Sequence, residues 1–464
     1  MKRVSLQADY LVVGCGGMGM AFADALVTHS AASLVMVDSH VAPGGHWNDA
    51  YPFVRLHQPS TFYGVNSLPL GNDSIEASGW NRGLYELASG GEVCAYFERV
   101  MRQRLLPSGR VQYFPSCDYH ADGRFVSRVA DLEYQVVARK MVDATYMNVS
   151  VPATRPPRYA VANGVHCIAP NTLPSLIGRQ WQRYAVIGSG KTGIDTCLFL
   201  LEQGIKPDRI VWIMPRDAWL HDRAQWQAGA LFEQSLGRTL GEFLAGIGEA
   251  DSIEDVFARL AARRVLVRID ESRWPTAYRC ATVTQTELAA LRGITNIVRK
   301  GRVQSIDNQR ITLAHGNEPT DATTLHIDCS ADGAERVAPT PIFTGPQITL
   351  QSIRWCQQVF SAALIAFIES RFDGDAEKNA LCTPVPHPSS HHDLLRTALL
   401  NMGNAGRWGQ HQAIRDWLKT ARLDQLSRGA ASPQQDAAFA ASLSAPARAA
   451  MQKLTQFVAA LDGA

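Results

Sequence analysis

Asp9-Tyr10-Leu11-Val12-Val13-Gly14-Cys15-Gly16-Gly17-Met18-Gly19 is the stretch from which the rest of the chain is read. Asp9 to Val13 is a short apolar run, and Met20 to Val27 carries the helix formers Ala21, Ala23, Ala25 and Leu26. A second apolar run, Leu34 to Val37, ends at Asp38. The order strand, glycine turn, helix, strand opens a parallel βαβ unit and predicts an α/β fold. Each glycine of the G-x-G-x-x-G has its own reason. Gly14 permits the tight turn, Gly16 lets a pyrophosphate approach the backbone, and Gly19 allows helix and strand to pack closely. Gly17 lies in the same loop, where the helix N-terminus offers unpaired N–H groups and a positive dipole end to phosphate. Asp38 stands about twenty residues on, the spacing of a carboxylate that hydrogen-bonds a ribose.

The pattern returns in the middle of the chain. A proline-rich connector, Val151-Pro152-Ala153-Thr154-Arg155-Pro156-Pro157, precedes a strand at Tyr184 to Ile187, a glycine turn, a helix at Ile194 to Gln203 and a strand at Ile210 to Met214. The turn reads Gly188-Ser189-Gly190-Lys191-Thr192-Gly193, a second G-x-G-x-x-G. Its Gly-Lys-Thr resembles a Walker A loop, but that motif needs a glycine at 185, where Ala185 stands. The strand that would end in the ribose-reading residue runs into Arg216, which suits the 2′-phosphate of NADP rather than a bare ribose.

Composition bounds the alternatives. At 464 residues the chain exceeds the size at which one core stops growing, so more than one domain is expected. Basic and acidic side chains number 45 and 43, which leaves no field of one sign to attract nucleic acid or an anionic membrane. The apolar stretch from Tyr10 to Val37 is broken by glycines, Asp24 and His29 and cannot span a bilayer. Met1-Lys2-Arg3 leads almost directly into a strand with no small-residue cleavage site, so cytoplasmic residence is expected. Nine cysteines are scattered singly with no C-x-x-C pair, which argues against zinc and a redox-active disulfide and for reduced, buried thiols.

Just after Asp38 comes Gly44-Gly45-His46-Trp47. Two glycines let the backbone run close to a bulky planar group, and a tryptophan supplies apolar cover. With these residues and the two glycine turns, the chain resembles the superfamily of flavin-containing monooxygenases, Baeyer–Villiger monooxygenases and N-hydroxylases. The resemblance implies two Rossmann-type domains. Gly14, Gly16, Gly17, Gly19, Asp38, Gly44, Gly45 and Trp47 would contact FAD, and Gly188, Ser189, Gly190, Lys191, Thr192, Gly193 and Arg216 would contact NADPH. Asp143-Ala144-Thr145 and Cys329-Ser330-Ala331-Asp332-Gly333 look like the family's two crossings between domains. The implied division is an FAD domain over 1–155, an NADPH domain over 156–320, the discontinuous FAD domain resuming over 321–400, and a helical extension over 401–464. An apolar helix from Ser352 to Ser370 would point its N-terminus at the flavin. The family's F-x-G-x-x-x-H segment is not matched at Asn163-Gly164-Val165-His166, which marks the chain as a divergent relative.

Leu56-His57-Gln58-Pro59-Ser60 occupies the place where the family sets amide side chains beside the flavin, so Gln58 is a candidate catalytic residue and Asn66 a second. His391-His392 suggests metal at first sight, but adjacent histidines point apart and no partner has ligand spacing, so a capped helix start is expected. Tryptophans 212, 219, 226 and 274 suggest an aromatic region on the NADPH side. The resemblance implies that NADPH reduces FAD, that the flavin captures O₂ as a C4a-hydroperoxide, and that one oxygen atom passes to a small organic substrate. The same cofactors with a non-oxygen acceptor, or a non-catalytic relative, stay open, as does self-association.

Overall fold

Two parallel sheets, each with a glycine turn at the carboxyl end of its central strand, organise the computed structural model, which describes residues 1–178, 181–331, 337–426 and 433–463. In the first, β1 (Lys2–Val13) runs into the turn, α1 (Gly17–His29) follows, and β2 (Leu34–Val37) returns beside β1 with Val13 opposite Val37. β3 (Val111–Phe114) extends the sheet beyond β2. β4 (Leu132–Asp143) lies on the other side of β1, with Val13 opposite Asp143. The strands Cys117–Ala121 and Arg124–Ser127 form an antiparallel hairpin against the first half of β4, where the alternating sequence predicts a β excursion.

The second sheet repeats the plan. β5 (Arg183–Ile187) is central, α2 (Lys191–Glu202) follows its turn, β6 (Ile210–Ile213) pairs on one side, and β7 (Thr324–Asp328) on the other. In both sheets the chain leaves the central strand between neighbours reached by opposite routes, so each turn sits at a topological switch point. β7 thus pairs within the second sheet. The chain rejoins the first at β8 (Gln347–Thr349), which lies parallel to β4, somewhat later than the residue 321 expected from sequence. Of the second crossing read from sequence, Asp332 and Gly333 lie outside the described residues.

α1 is buried along its whole middle, Met18 to Val27, because the sheet covers one side and α3 (Gln358–Arg371) the other. α3 is likewise buried from Val359 to Glu369, and a helix enclosed on all sides needs an apolar surface all round. It starts later than the apolar run predicts because Trp355 takes a left-handed φ of 40° and breaks the helical path. At its far end the buried Glu369 accepts hydrogen bonds from Tyr10 Oη at 2.8 Å, Lys140 Nζ at 2.8 Å and Lys378 Nζ at 2.7 Å, which ties α3 to the first sheet.

A helical layer completes the molecule. Arg238–Gly248 and Ile253–Ala262 pack with His391–Trp408 and Pro433–Asp462 around Phe243, Ile247, Phe257 and Leu260. The helix at His391 is capped by Ser390 and Asp393 in a capping box, as the sequence leads one to expect. Among the described residues no helix is long and apolar enough to cross a membrane.

The strand Ala277–Val283 and the helix Gln285–Arg292 are joined to the loop at Asn81 by a buried cation, Arg223, whose Nη1 donates to Asn81 Oδ1 at 3.3 Å. Arg223 Nη1 and Nη2 reach the two carboxylate oxygens of Glu287 at 3.0 and 2.9 Å, and its Nε donates to Thr282 Oγ1 at 2.9 Å. Removing one member of such a pair leaves a buried charge uncompensated, at a cost of about 3–5 kcal/mol. Arg223→Ala is therefore expected to lower the urea midpoint by an amount equivalent to that loss, and an unchanged midpoint would show that the pair contributes little to stability.

Candidate functional site

The two glycine turns are built alike, bond for bond. Gly14 N donates to Val37 O at 2.8 Å, and Gly188 N to Ile213 O at 3.0 Å. Ala144 N donates to Val13 O and Cys329 N to Ile187 O, both at 2.9 Å, so the neighbouring strand closes behind each turn in the same way. Gly14 and Gly188 have φ of 96° and 125°, which disfavours any side chain. A Cβ on Gly19 would lie 1.9 Å from Gly14 O, and one on Gly193 would lie 2.1 Å from Gly188 O. The third glycine thus presses each helix onto its strand. The N-cap residues Gly16 and Gly190 give their helices no side-chain cap, so the first-turn N–H groups are offered to a ligand.

The surroundings of the turns differ. Around Gly190 nothing lies within 4 Å of a built Cβ, and Gly188, Ser189, Gly190, Lys191 and Thr192 form part of the wall of a cavity of about 1020 Å³. Arg216 stands on that wall too, and its carbonyl accepts from Ser189 Oγ at 3.0 Å. Lys191 pairs with Asp195, which also accepts from Tyr51 Oη at 2.8 Å and so links the second turn to the first unit. Gly193 faces its own strand rather than the cavity.

The first turn is covered. Gly45 packs against Gly16, with 2.9 Å from its built Cβ to Gly16 Cα, and Gly44 N donates to Cys15 O at 2.9 Å. Asp38 is buried; it accepts from Cys15 N at 2.5 Å and from His40 N and Nδ1, both at 2.8 Å. His40 Nε2 meets Asp49 at 2.8 Å. Gly14, Gly16, Gly17, Gly19, Asp38, Gly44 and Gly45 are absent from the cavity lining, whereas Trp47 is on it and donates from Nε1 to Tyr63 Oη at 2.7 Å.

Of the two candidate amides, Gln58 lines the cavity and Asn66 is absent from its lining. Asn66 Oδ1 accepts from Leu423 N at 3.3 Å. Gln58 Oε1 accepts from Gln425 Nε2 at 3.0 Å, and Gln425 in turn accepts from Gln357 at the N-cap of α3. That chain leaves the Gln58 amide N–H groups to point elsewhere. Arg422 secures the same loop by donating to the carbonyls of Thr61, Tyr63 and Val65. Sequence reading missed Arg422 and Gln425, since only contacts across more than 350 residues reveal them. Of the four tryptophans singled out, Trp226 lines the cavity, Trp212 and Trp219 are fully buried, and Trp274 is exposed.

The charge on the wall is predominantly positive. Arg55, Arg158, Lys191, Arg216, Arg279, Arg302 and Arg396 line it, with Asp393 as the carboxylate. Such a cavity favours an anionic ligand. Four lining histidines are held neutral by burial, His57 pushed down to about 3 and His46, His221 and His387 to about 4. Leu236, Leu240, Phe243 and Trp355 supply an apolar side to the same cavity.

Uncharacterized proteins of Mycobacterium tuberculosis (strain H37Rv) and Mycobacterium bovis are 52% identical to this chain over 424 residues, covering 91% of it and 78% of their own length. No family model matches the chain. Among solved structures, a mutant of a flavin monooxygenase from Stenotrophomonas maltophilia is 16% identical with a TM-score of 0.47, over 82% of this chain and all of that one. A cyclohexanone monooxygenase from Rhodococcus sp. Phi1 bound to NADP⁺ is 12% identical with a TM-score of 0.47, over 79% and 85% of the two chains. The OTEMO complex with FAD and NADP is 14% identical with a TM-score of 0.48, over 78% and 84%.

The Asp38–His40–Asp49 bridge has a pH signature. Hydrogen bonding to Asp38, opposed by burial and helped by Asp49, raises His40 from its ordinary value near 6.5 to about 9. A raised histidine contributes its stabilisation in full below pH 6.5 and loses it as pH climbs towards about 9. Melting temperature is expected to fall more steeply over that window in the native protein than in His40→Gln; parallel curves would remove the bridge as a source of stability.

Proposed function

We propose that this chain, which belongs to one family with the mycobacterial proteins, is an NADPH-dependent FAD monooxygenase that transfers one oxygen atom from O₂ to a small organic molecule. The observation that carries the reading is the matched construction of the two glycine turns, one of which opens on a cationic cavity whose wall also holds Trp47 and Gln58. Two uncapped helix N-termini at switch points suit two pyrophosphates.

The second turn fits its group as it stands, and the first has the glycines and the carboxylate for the other beneath the covering loop at Gly44 and Gly45. In the second turn the open space at Gly190 is a cradle for a pyrophosphate, and Arg216, with other wall arginines, would meet a 2′-phosphate. In the first, Gly14, Gly16, Gly17 and Gly19 would hold the FAD pyrophosphate, Asp38 the ribose, and Gly44, Gly45 and Trp47 the stretch beside the ring. Bound FAD would supply hydride acceptance from NADPH and reaction with O₂.

What the chain's own side chains do is narrower. Gln58, held by Gln425, would direct an amide N–H toward the reacting ring, while the apolar residues and the helical layer exclude water from the same space. His57 and His221 are neutral and add no charge to it. Among the described residues of the cavity wall Asp393 is the carboxylate.

The decisive experiment is anaerobic reduction of the purified protein by NADPH, followed by mixing with oxygenated buffer under continuous spectral recording. A transient absorbance distinct from both oxidised and reduced flavin, with oxygen transfer to a sulfide, amine or ketone, is the expected outcome. Flavin that is reduced and returns directly to the oxidised form with release of peroxide, and that oxygenates no member of such a panel, would overturn the oxygenase reading in favour of a reductase.

Two substitutions separate the roles of the second turn. Gly190→Val is expected to leave folding intact, because its side chain enters open space, and to weaken NADPH binding by about 10-fold or more. Arg216→Ala is expected to raise KM for NADPH by about 10- to 100-fold and to leave that for NADH nearly unchanged, as loss of a charge-assisted bond to the 2′-phosphate requires. Equal losses with both nucleotides would remove Arg216 from 2′-phosphate recognition.

A further inference from the structure

The expectation that every cysteine is a separate thiol does not hold. Cys280 and Cys356 form a disulfide across 76 residues, with Cα atoms 6.5 Å apart. Both are half-buried and line the cavity, so a solute inside it reaches the pair. Cys280 lies in the strand Ala277–Val283, paired to Ala218–Asp222 beside the second sheet. Cys356 lies just before α3, whose body is enclosed by the first unit. The bond is therefore a strap across the cavity between the two units.

The residues around Cys356 are set to respond to that strap. Trp355 is held at φ 40°, a backbone region costly for a bulky side chain and maintained only where the surroundings enforce it. Gln357 hydrogen-bonds Gln425 and through it Gln58. By contrast, Cys15, Cys197, Cys329 and Cys382 are fully buried, and burial pushes each thiol well up from its ordinary range, which makes them poor nucleophiles.

We propose that Cys280–Cys356 is a reversible redox site reached through the cavity by small thiols, and that its oxidised form restrains the segment leading into α3. A thiolate of an entering dithiol attacks one of the two sulfurs, breaking the Cys280–Cys356 bond and forming a mixed disulfide. The second thiolate of the dithiol then displaces the remaining protein sulfur. The dithiol loses two electrons and two protons to become a cyclic disulfide, and the protein gains two thiols. Reduction frees Trp355 from its enforced conformation and loosens the Gln357–Gln425–Gln58 chain. The site's operation does not depend on which dinucleotide the cavity holds.

The test uses the whole folded protein, oxidised with diamide and then exposed to graded dithiothreitol without denaturant. Maleimide alkylation with peptide mapping reads each cysteine, and hydrogen exchange reads the segment 351–358. Labelling of Cys280 and Cys356 together, only after dithiothreitol and reversed by oxidised dithiothreitol, is expected, with exchange in 351–358 at least threefold faster in the reduced protein. Three results would each overturn the proposal: labelling of either cysteine in the diamide-treated protein, reduction only after unfolding in urea, or identical exchange in the two redox states. Flavin content and oxygen transfer enter none of these readouts, so failure here is distinct from failure of the oxygenase reading.

Discussion

The architecture depends on two contacts in which there is no room for a methyl group. At Gly19 and Gly193 the helix backbone lies against the carbonyl of the first glycine of its turn, so that any side chain would overlap that oxygen. The contact fixes where each helix begins relative to its sheet, and hence where its unpaired N–H groups point. It also explains why the sheets can be so different in their outer strands and still present the same loop. The first carries a hairpin on β4 and the second carries short parallel strands, yet the hydrogen bonds that enclose the turns coincide.

What separates the two turns is the company they keep. The first is closed over by its own downstream loop at Gly44 and Gly45, with the Asp38 carboxylate already engaged by Cys15 and His40. The second faces a space lined by arginines and neutral histidines. The cavity is assembled from both units and from the helical layer, so its shape is a property of their packing together rather than of either sheet.

Local patterns were legible in the sequence and long-range ones were not. The glycine spacings, the apolar strands and the helix after each turn are patterns within about thirty residues, and they appear where periodicity places them. Gln58 was legible through the family resemblance, which sets an amide in that loop, and it stands on the cavity wall, while Asn66, eight positions on, is turned to the backbone of Leu423. No local signal marks Arg422, Gln425 or the pairing of Cys280 with Cys356, because each gains its meaning from a partner on another element. The late return to the first sheet at Gln347 was hidden for a related reason: β7 and β8 are short strands of mixed polarity, and which sheet each joins is decided by tertiary packing.

Arg422 grips the carbonyls of a loop made 361 residues earlier. At a ribosomal rate of about 5–20 residues per second, Thr61, Tyr63 and Val65 wait about 20–70 s for the side chain that holds them. During that interval the nascent first unit also lacks β8, so the outer edge of β4 stands unpaired along Met141–Asp143. Until then the loop beside Trp47 has its nearer partners at Glu86, Ala88 and Tyr96, and Arg422 is among the last clamps to close on it.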